Sequence, residues 1–138
     1  MASAQSAPQL VCVDPKRVSE FWPHVTPLLK MAILRTDLNS FEEIERDVLA
    51  GRSLLWLAWF DRIEAAATTI LIETGASKVC VLTACGGRGM RRWLPVLEKI
   101  EAYAKAEGCN RMRIFGRKGW QRVLDPYHIT NVVLERKL

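Results

Sequence analysis

Gly86, Gly87, Arg88, Gly89, Arg91 and Arg92 crowd into one short stretch, CGGRGMRRW. Glycine lets the main chain turn tightly and lets a ligand approach bare N–H groups. Such groups hold an anion best where a helix begins, because the first turn leaves its donors unpaired and the dipole is positive there. Arginines beside the turn add full positive charge. The chemistry this pattern suits is the holding of a phosphate-bearing ligand. For any single arginine the plainer reading is a solvated basic face.

A loop of this kind needs a strand to deliver it and a helix to carry the chain away. Ser77 to Gly116 reads as that unit. Lys78 to Cys85 is a strand, Gly86 to Gly89 the loop, and an amphipathic helix follows. The helix buries Met90, Trp93, Leu94, Leu97, Ile100 and Ala104, which fall at helical spacing, and Gly108 closes it. Pro95 is harmless only if the helix begins near Arg92, since proline belongs in a first turn. Arg111 to Phe115 then returns as a strand parallel to Lys78–Cys85, through a right-handed crossover.

The upstream elements follow from similar signals. Gln9 to Val13 is a short strand stopped by Asp14-Pro15. Val18 to Leu34 carries a helical stripe, which Pro23 and Pro27 are expected to break, with the helix resuming after Thr26. Ser40 with Glu43 forms a capping box for a second helix, whose stripe is Phe41, Ile44, Val48 and Leu49 and whose end is Gly51. Ser53 to Phe60, Ile63 to Glu73 and Lys78 to Cys85 form an antiparallel meander, turned at Asp61-Arg62 and Thr74-Gly75-Ala76. Gly119 to Leu124 makes one or two helical turns. Ile129 to Leu138 reads as a final strand or pair of strands.

Composition narrows the class. The chain has 138 residues, 49% hydrophobic and 25% charged, which suits a single globular domain over 1–138. No apolar run approaches the roughly 18 residues of a membrane helix. The polar N-terminus lacks the apolar core of a secretion signal, so residues 1–8 are expected to be a loose tail and the location cytoplasmic. A net charge of +5 points to an anionic ligand. A nucleic-acid partner has that charge alone behind it, with no recognition motif, and ranks last.

Four cysteines and two histidines offer no ligand spacing. Cys80 and Cys85 are an odd number of residues apart, which on a regular strand places them on opposite faces. A metal site is therefore not expected.

The order of elements, with the phrase Leu97-Glu-Lys-Ile-Glu-Ala-Tyr-Ala-Lys-Ala-Glu-Gly-Cys109 between a glycine loop and a strand, resembles the GCN5-related N-acetyltransferase (GNAT) family. The resemblance covers about Leu10 to Leu138. Small basic domains of this kind also resemble those encoded in phage and prophage gene clusters. The family implies an α/β (α+β) fold: a mixed, mostly antiparallel twisted sheet of about six to seven strands flanked by about four helices. It implies acetyl-CoA as cofactor, its pyrophosphate on Gly86, Gly87, Arg88, Gly89, Met90, Arg91 and Arg92. The pantetheine arm is expected between splayed parallel strands, here Val79 to Cys85 and Arg111 to Gly116. Aligning Gly89 with the first motif glycine puts Gly86 where the family has Gln or Arg, and Arg91 where it has a second small residue.

Acetyl transfer to an amine needs a base for the amine, a donor to polarise the thioester carbonyl and an acid for the leaving thiolate. The resemblance implies that a backbone N–H among Leu82, Thr83 and Ala84 polarises the carbonyl and that Tyr127 is the acid. Glu73, at the end of a meander strand, is the candidate base. Trp56 and Trp59 face opposite sides, one in the core and one free to line an acceptor pocket. Trp22 and Trp120 are expected in the core. The function implied is transfer of an acetyl group to a small-molecule or peptide amine, with a homodimer formed through the last strands. The competing reading is a domain of the same fold that has lost catalysis and serves as a binding or structural module.

Overall fold

The computed structural model describes residues 9–88, 97–116, 118–122, 124 and 126–138. The expected tail at residues 1–8 lies outside them. Five strands, β1 (Gln9–Cys12), β2 (Ser53–Trp59), β3 (Ile63–Glu73), β4 (Lys78–Gly87) and β5 (Arg111–Ile114), form one sheet in the order β1-β2-β3-β4-β5. Every neighbouring pair is antiparallel except β4–β5, which is parallel. Three α-helices are described: α1 (Val18–Thr36), α2 (Phe41–Leu49) and α3 (Leu97–Ala106). The expected mixed α+β architecture is present, with fewer strands and helices than anticipated among the described residues.

The sheet is covered on both faces. One face packs Leu55, Leu57, Ala66 and Ala84 against α1 and α2. The other packs Trp56, Ala58, Ala65, Ala67, Cys80, Leu82 and Cys85 against Leu97, Ile100 and Ala104 of α3. Alternation along β2 and β3 explains which residue goes where.

α1 does not break at its prolines, contrary to the sequence expectation. Pro23 and Pro27 both sit inside one continuous helix. Each costs about 3 kcal/mol in a helix interior. Against that, Val18, Trp22, Val25, Leu29 and Ile33 are all buried on one stripe, each contributing about 1.5–3 kcal/mol. Packing therefore outweighs local propensity. The helix ends at Asp37, in the left-handed region at φ 52°, with its N–H on the carbonyl of Ile33 at 2.7 Å. At α2 the hydroxyl of Ser40 accepts from the amide of Glu43 at 3.0 Å, as the capping-box reading required.

Two further expectations fail. Ile129 to Leu138 forms no strand: Val132, Val133 and Leu134 stand 72%, 62% and 89% exposed. A strand needs a neighbour to take its hydrogen bonds, and none pairs with this segment among the described residues. β4 also runs two residues past Cys85. Gly86 pairs with Ala66 and Gly87 with Ala65, so both belong to the sheet and not to a loop.

Candidate functional site

The site is built on an irregularity in β4. Thr69 pairs with Leu82 and Thr68 with Ala84, so Thr83 has no partner on β3. This is a β-bulge, one extra residue that bends its strand and raises the local twist. It also resets the alternation. Cys80 and Leu82 lie on the α3 face, Ala84 on the α1 face, and Cys85 back on the α3 face. The expectation that Cys80 and Cys85 face opposite ways is thereby overturned: the bulge adds the step that brings them to one side. Burial alone pushes the thiol of Cys85 far up, while burial and then the charge of Cys109 push Cys80 up to about 11. Among the described residues no cluster could hold a metal.

Side chains hold the bulge in place. The hydroxyls of Thr68 and Thr83 are 2.7 Å apart, and the Thr83 hydroxyl lies 3.2 Å from the carbonyl of Thr68. The carbonyl of Thr83 accepts from the side-chain amide of Asn39 at 3.1 Å. Sequence reasoning found neither Asn39 nor Thr68. The adjacent threonines 68 and 69 in an apolar strand were a signal for the second. Nothing local connects Asn39 to a strand 44 residues away.

Beyond the bulge the two parallel strands part. Their pairing ends at Leu82 opposite Ile114, and the last bond, from the amide of Phe115 to the carbonyl of Leu82, is stretched to 3.4 Å. β4 continues along β3 to Gly87, while β5 has already stopped. The gap is bounded by Thr83, Ala84 and Cys85 on one side, Phe115 and Gly116 on the other, and the C-terminal turns of α1. Trp120, from the short 3-10 turn Lys118–Arg122, also lines it. The remaining cavity is about 20 Å³, the room of roughly one water. Exposed Arg35 supplies positive charge at its rim.

The glycines serve packing. A Cβ on Gly86 would lie 2.2 Å from the carbonyl oxygen of Leu28, so α1 presses directly on this strand. A Cβ on Gly87 would lie 2.4 Å from that of Ala65. The amide of Arg88 donates to the carbonyl of Glu64 at 3.0 Å, extending the ladder. Gly86 and Gly87 therefore lie in the end of β4, where the sequence expectation had a loop, and Arg88 follows directly after them. Gly89, Met90, Arg91 and Arg92, with Trp93, Leu94 and Pro95, lie outside the described residues.

Neither residue expected to do acid–base work is among the described residues lining the gap. Glu73 pairs with Lys78 at the opposite end of β4 from Thr83. Five residues of strand separate that end from the bulge, about 17 Å at the usual rise. Glu73 is exposed there and is not among the described residues lining the gap. Tyr127 packs on the α3 face, half-buried, and its hydroxyl donates to the carboxylate of Glu101 at 2.5 Å. Burial, then that bond and the Glu101 charge, push its pKa far above the ordinary tyrosine value. Trp56 is core, donating to the hydroxyl of Thr69 at 2.9 Å, and Trp59 is 40% exposed at the strand end. Trp22 is core as expected, its indole N–H on Glu45 at 2.7 Å.

No protein-family model and no curated protein sequence matches this chain. Solved structures do resemble it. An aminoglycoside acetyltransferase from an uncultured soil metagenomic sample, in complex with sisomicin, is 11% identical, with a TM-score of 0.69 and 95% of each chain covered. A structure from Clostridium acetobutylicum, described as a predicted acetyltransferase with acetyl-CoA, is 14% identical with a TM-score of 0.64. It covers 94% of this chain and 96% of its own. An aminoglycoside N-acetyltransferase in complex with CoA is 15% identical with a TM-score of 0.63, covering 96% of this chain and 95% of its own. At these identities the likeness is one of fold: the chain has the mixed α+β, GNAT-type architecture of those acetyltransferases.

Proposed function

We propose that this chain is a GCN5-related N-acetyltransferase that moves an acetyl group from acetyl-CoA to a primary amine. The observation that carries the reading is that β4 and β5 stop pairing at Leu82 opposite Ile114, next to the bulge at Thr83. A gap of that kind, between main-chain edges, suits an extended amide-bearing arm. Neighbours of the same fold solved with CoA and acetyl-CoA support it.

The fit is incomplete. About 20 Å³ holds one water and no pantetheine arm, and the Arg88 amide is already paired. No catalytic step is therefore routed through the cofactor here. Within the proposal, Leu82, Thr83 and Ala84 supply the main-chain edge beside the acyl group, and Gly89, Met90, Arg91 and Arg92 hold phosphate. Tyr127 is the acid, its hydroxyl hydrogen-bonded to Glu101. The acceptor is a small-molecule or peptide amine, and the sisomicin-bound neighbour supports the former. Nothing in the neighbours supports a phage or prophage origin.

The second reading, a binding module that has lost catalysis, is favoured by two observations. The gap is narrow, about 20 Å³, and no carboxylate is among the described residues lining it. Thermal unfolding with and without acetyl-CoA separates the two. Ligand at 100 times its dissociation constant should stabilise the fold by about 2.7 kcal/mol. An unmoved midpoint at millimolar acetyl-CoA removes the transferase reading.

A further inference from the structure

Trp120 lines the gap between β4 and β5, and its indole is poorly satisfied where it sits. Trp120 packs with the α3-face cluster, yet it also lines a cavity whose other wall is Ala32, Ile33 and Thr36 of α1. α1 and α3 cover opposite faces of the sheet. The indole therefore stands in the opening where the two strands have parted. Gly116 makes room for it: a Cβ there would lie 2.8 Å from Cε3 of the ring. The indole nitrogen is buried and has no hydrogen-bond partner, the one such side-chain atom among the described residues. A buried donor left unpaired favours any arrangement that returns it to water or to an acceptor. So the ring is well fitted by shape and ill fitted by polarity.

We propose that Trp120 is a displaceable plug in the gap between β4 and β5, and that its withdrawal is what admits the acyl donor. The inference rests on the acetyltransferase reading above. The plug lowers apparent affinity by the fraction of molecules that are open. If about a tenth are open, removing it tightens binding about tenfold.

Isothermal titration with acetyl-CoA tests this on the full chain and three variants, each first checked for cooperative unfolding. Trp120→Ala empties the gap and should bind about tenfold tighter. Gly116→Ala pushes the ring out and should also bind tighter, which keeps the test open if Trp120→Ala does not fold. Trp120→Phe keeps a ring in the gap without the unpaired donor, and should bind more weakly than wild type. Tight binding by the two opening variants with none by wild type supports the plug most strongly. Wild-type binding that Trp120→Ala and Gly116→Ala leave equal or weaken overturns the plug and leaves the transferase reading standing. Folded variants that bind no acetyl-CoA at all overturn both.

Discussion

The side-chain amide of Asn39 donates to the carbonyl of Thr83 at 3.1 Å, tying the connection between α1 and α2 to the extra residue of β4. Thr83 faces no residue on β3, and its carbonyl takes this bond from Asn39. Replacing Asn39 with Ala leaves it without this donor in a half-buried place. The loss expected is about 1–3 kcal/mol, read as a lower urea midpoint with an unchanged slope. Asn39→Asp, which cannot donate, should do no better.

Gly86 gives a test of packing against ligand binding. Its missing Cβ clears the Leu28 carbonyl, a backbone atom that cannot swing aside. Gly86→Ala should therefore destabilise the fold by about 1–3 kcal/mol or more, as overpacking does. A loop glycine serving only a phosphate would leave unfolding unchanged without ligand. Thermal melts of the unliganded variant distinguish the two.

Pro23 and Pro27 are exposed residues inside a helix held together by its buried stripe. Alanine at either position restores an N–H to the helix and removes ring crowding. Each variant should gain roughly 1 kcal/mol or more, seen as a raised denaturation midpoint. A loss would mean that the proline rings contribute packing of their own.

The chain has two tyrosines, and both resist ionisation. Burial, then the charge of Glu107, pushes Tyr103 up to about 12, and Tyr127 is pushed further by burial and by Glu101. A folded pKa above the unfolded one gives stability that is complete below about pH 10 and is lost as pH climbs above it. Phenolate absorbance near 295 nm should thus stay low through pH 10 in the native protein and rise near that pH in guanidinium. A native titration near 10 for either tyrosine contradicts the burial described. Glu101→Gln should bring Tyr127 part of the way back.

The meander was legible because β2 and β3 alternate apolar residues between two covered faces. Ser40, Gly51 and Gly108 marked helix ends by chemistry that acts within a turn, the two glycines at φ 82° and 87°. The site was legible only as a region. Thr83 carries no sign of being an extra residue, since a bulge is a relation between two strands. Missing it reversed the faces assigned to Cys80 and Cys85. The glycines announced close approach, and at Gly86 the approaching group is the Leu28 carbonyl. Glu73 stands at a strand end, and strand ends look alike until register is known.

Thr83 is dispensable to the sheet in a specific sense. With it deleted, Thr68 and Thr69 would still face Ala84 and Leu82, and every side chain from Ala84 onward would keep its face. If the proposed transfer site is right, architecture and aperture are encoded separately, the second by a single insertion. A chain lacking that residue should melt cooperatively with its helices in place and show no acetyl-CoA uptake, and loss of the fold itself would mean the two had never been separable.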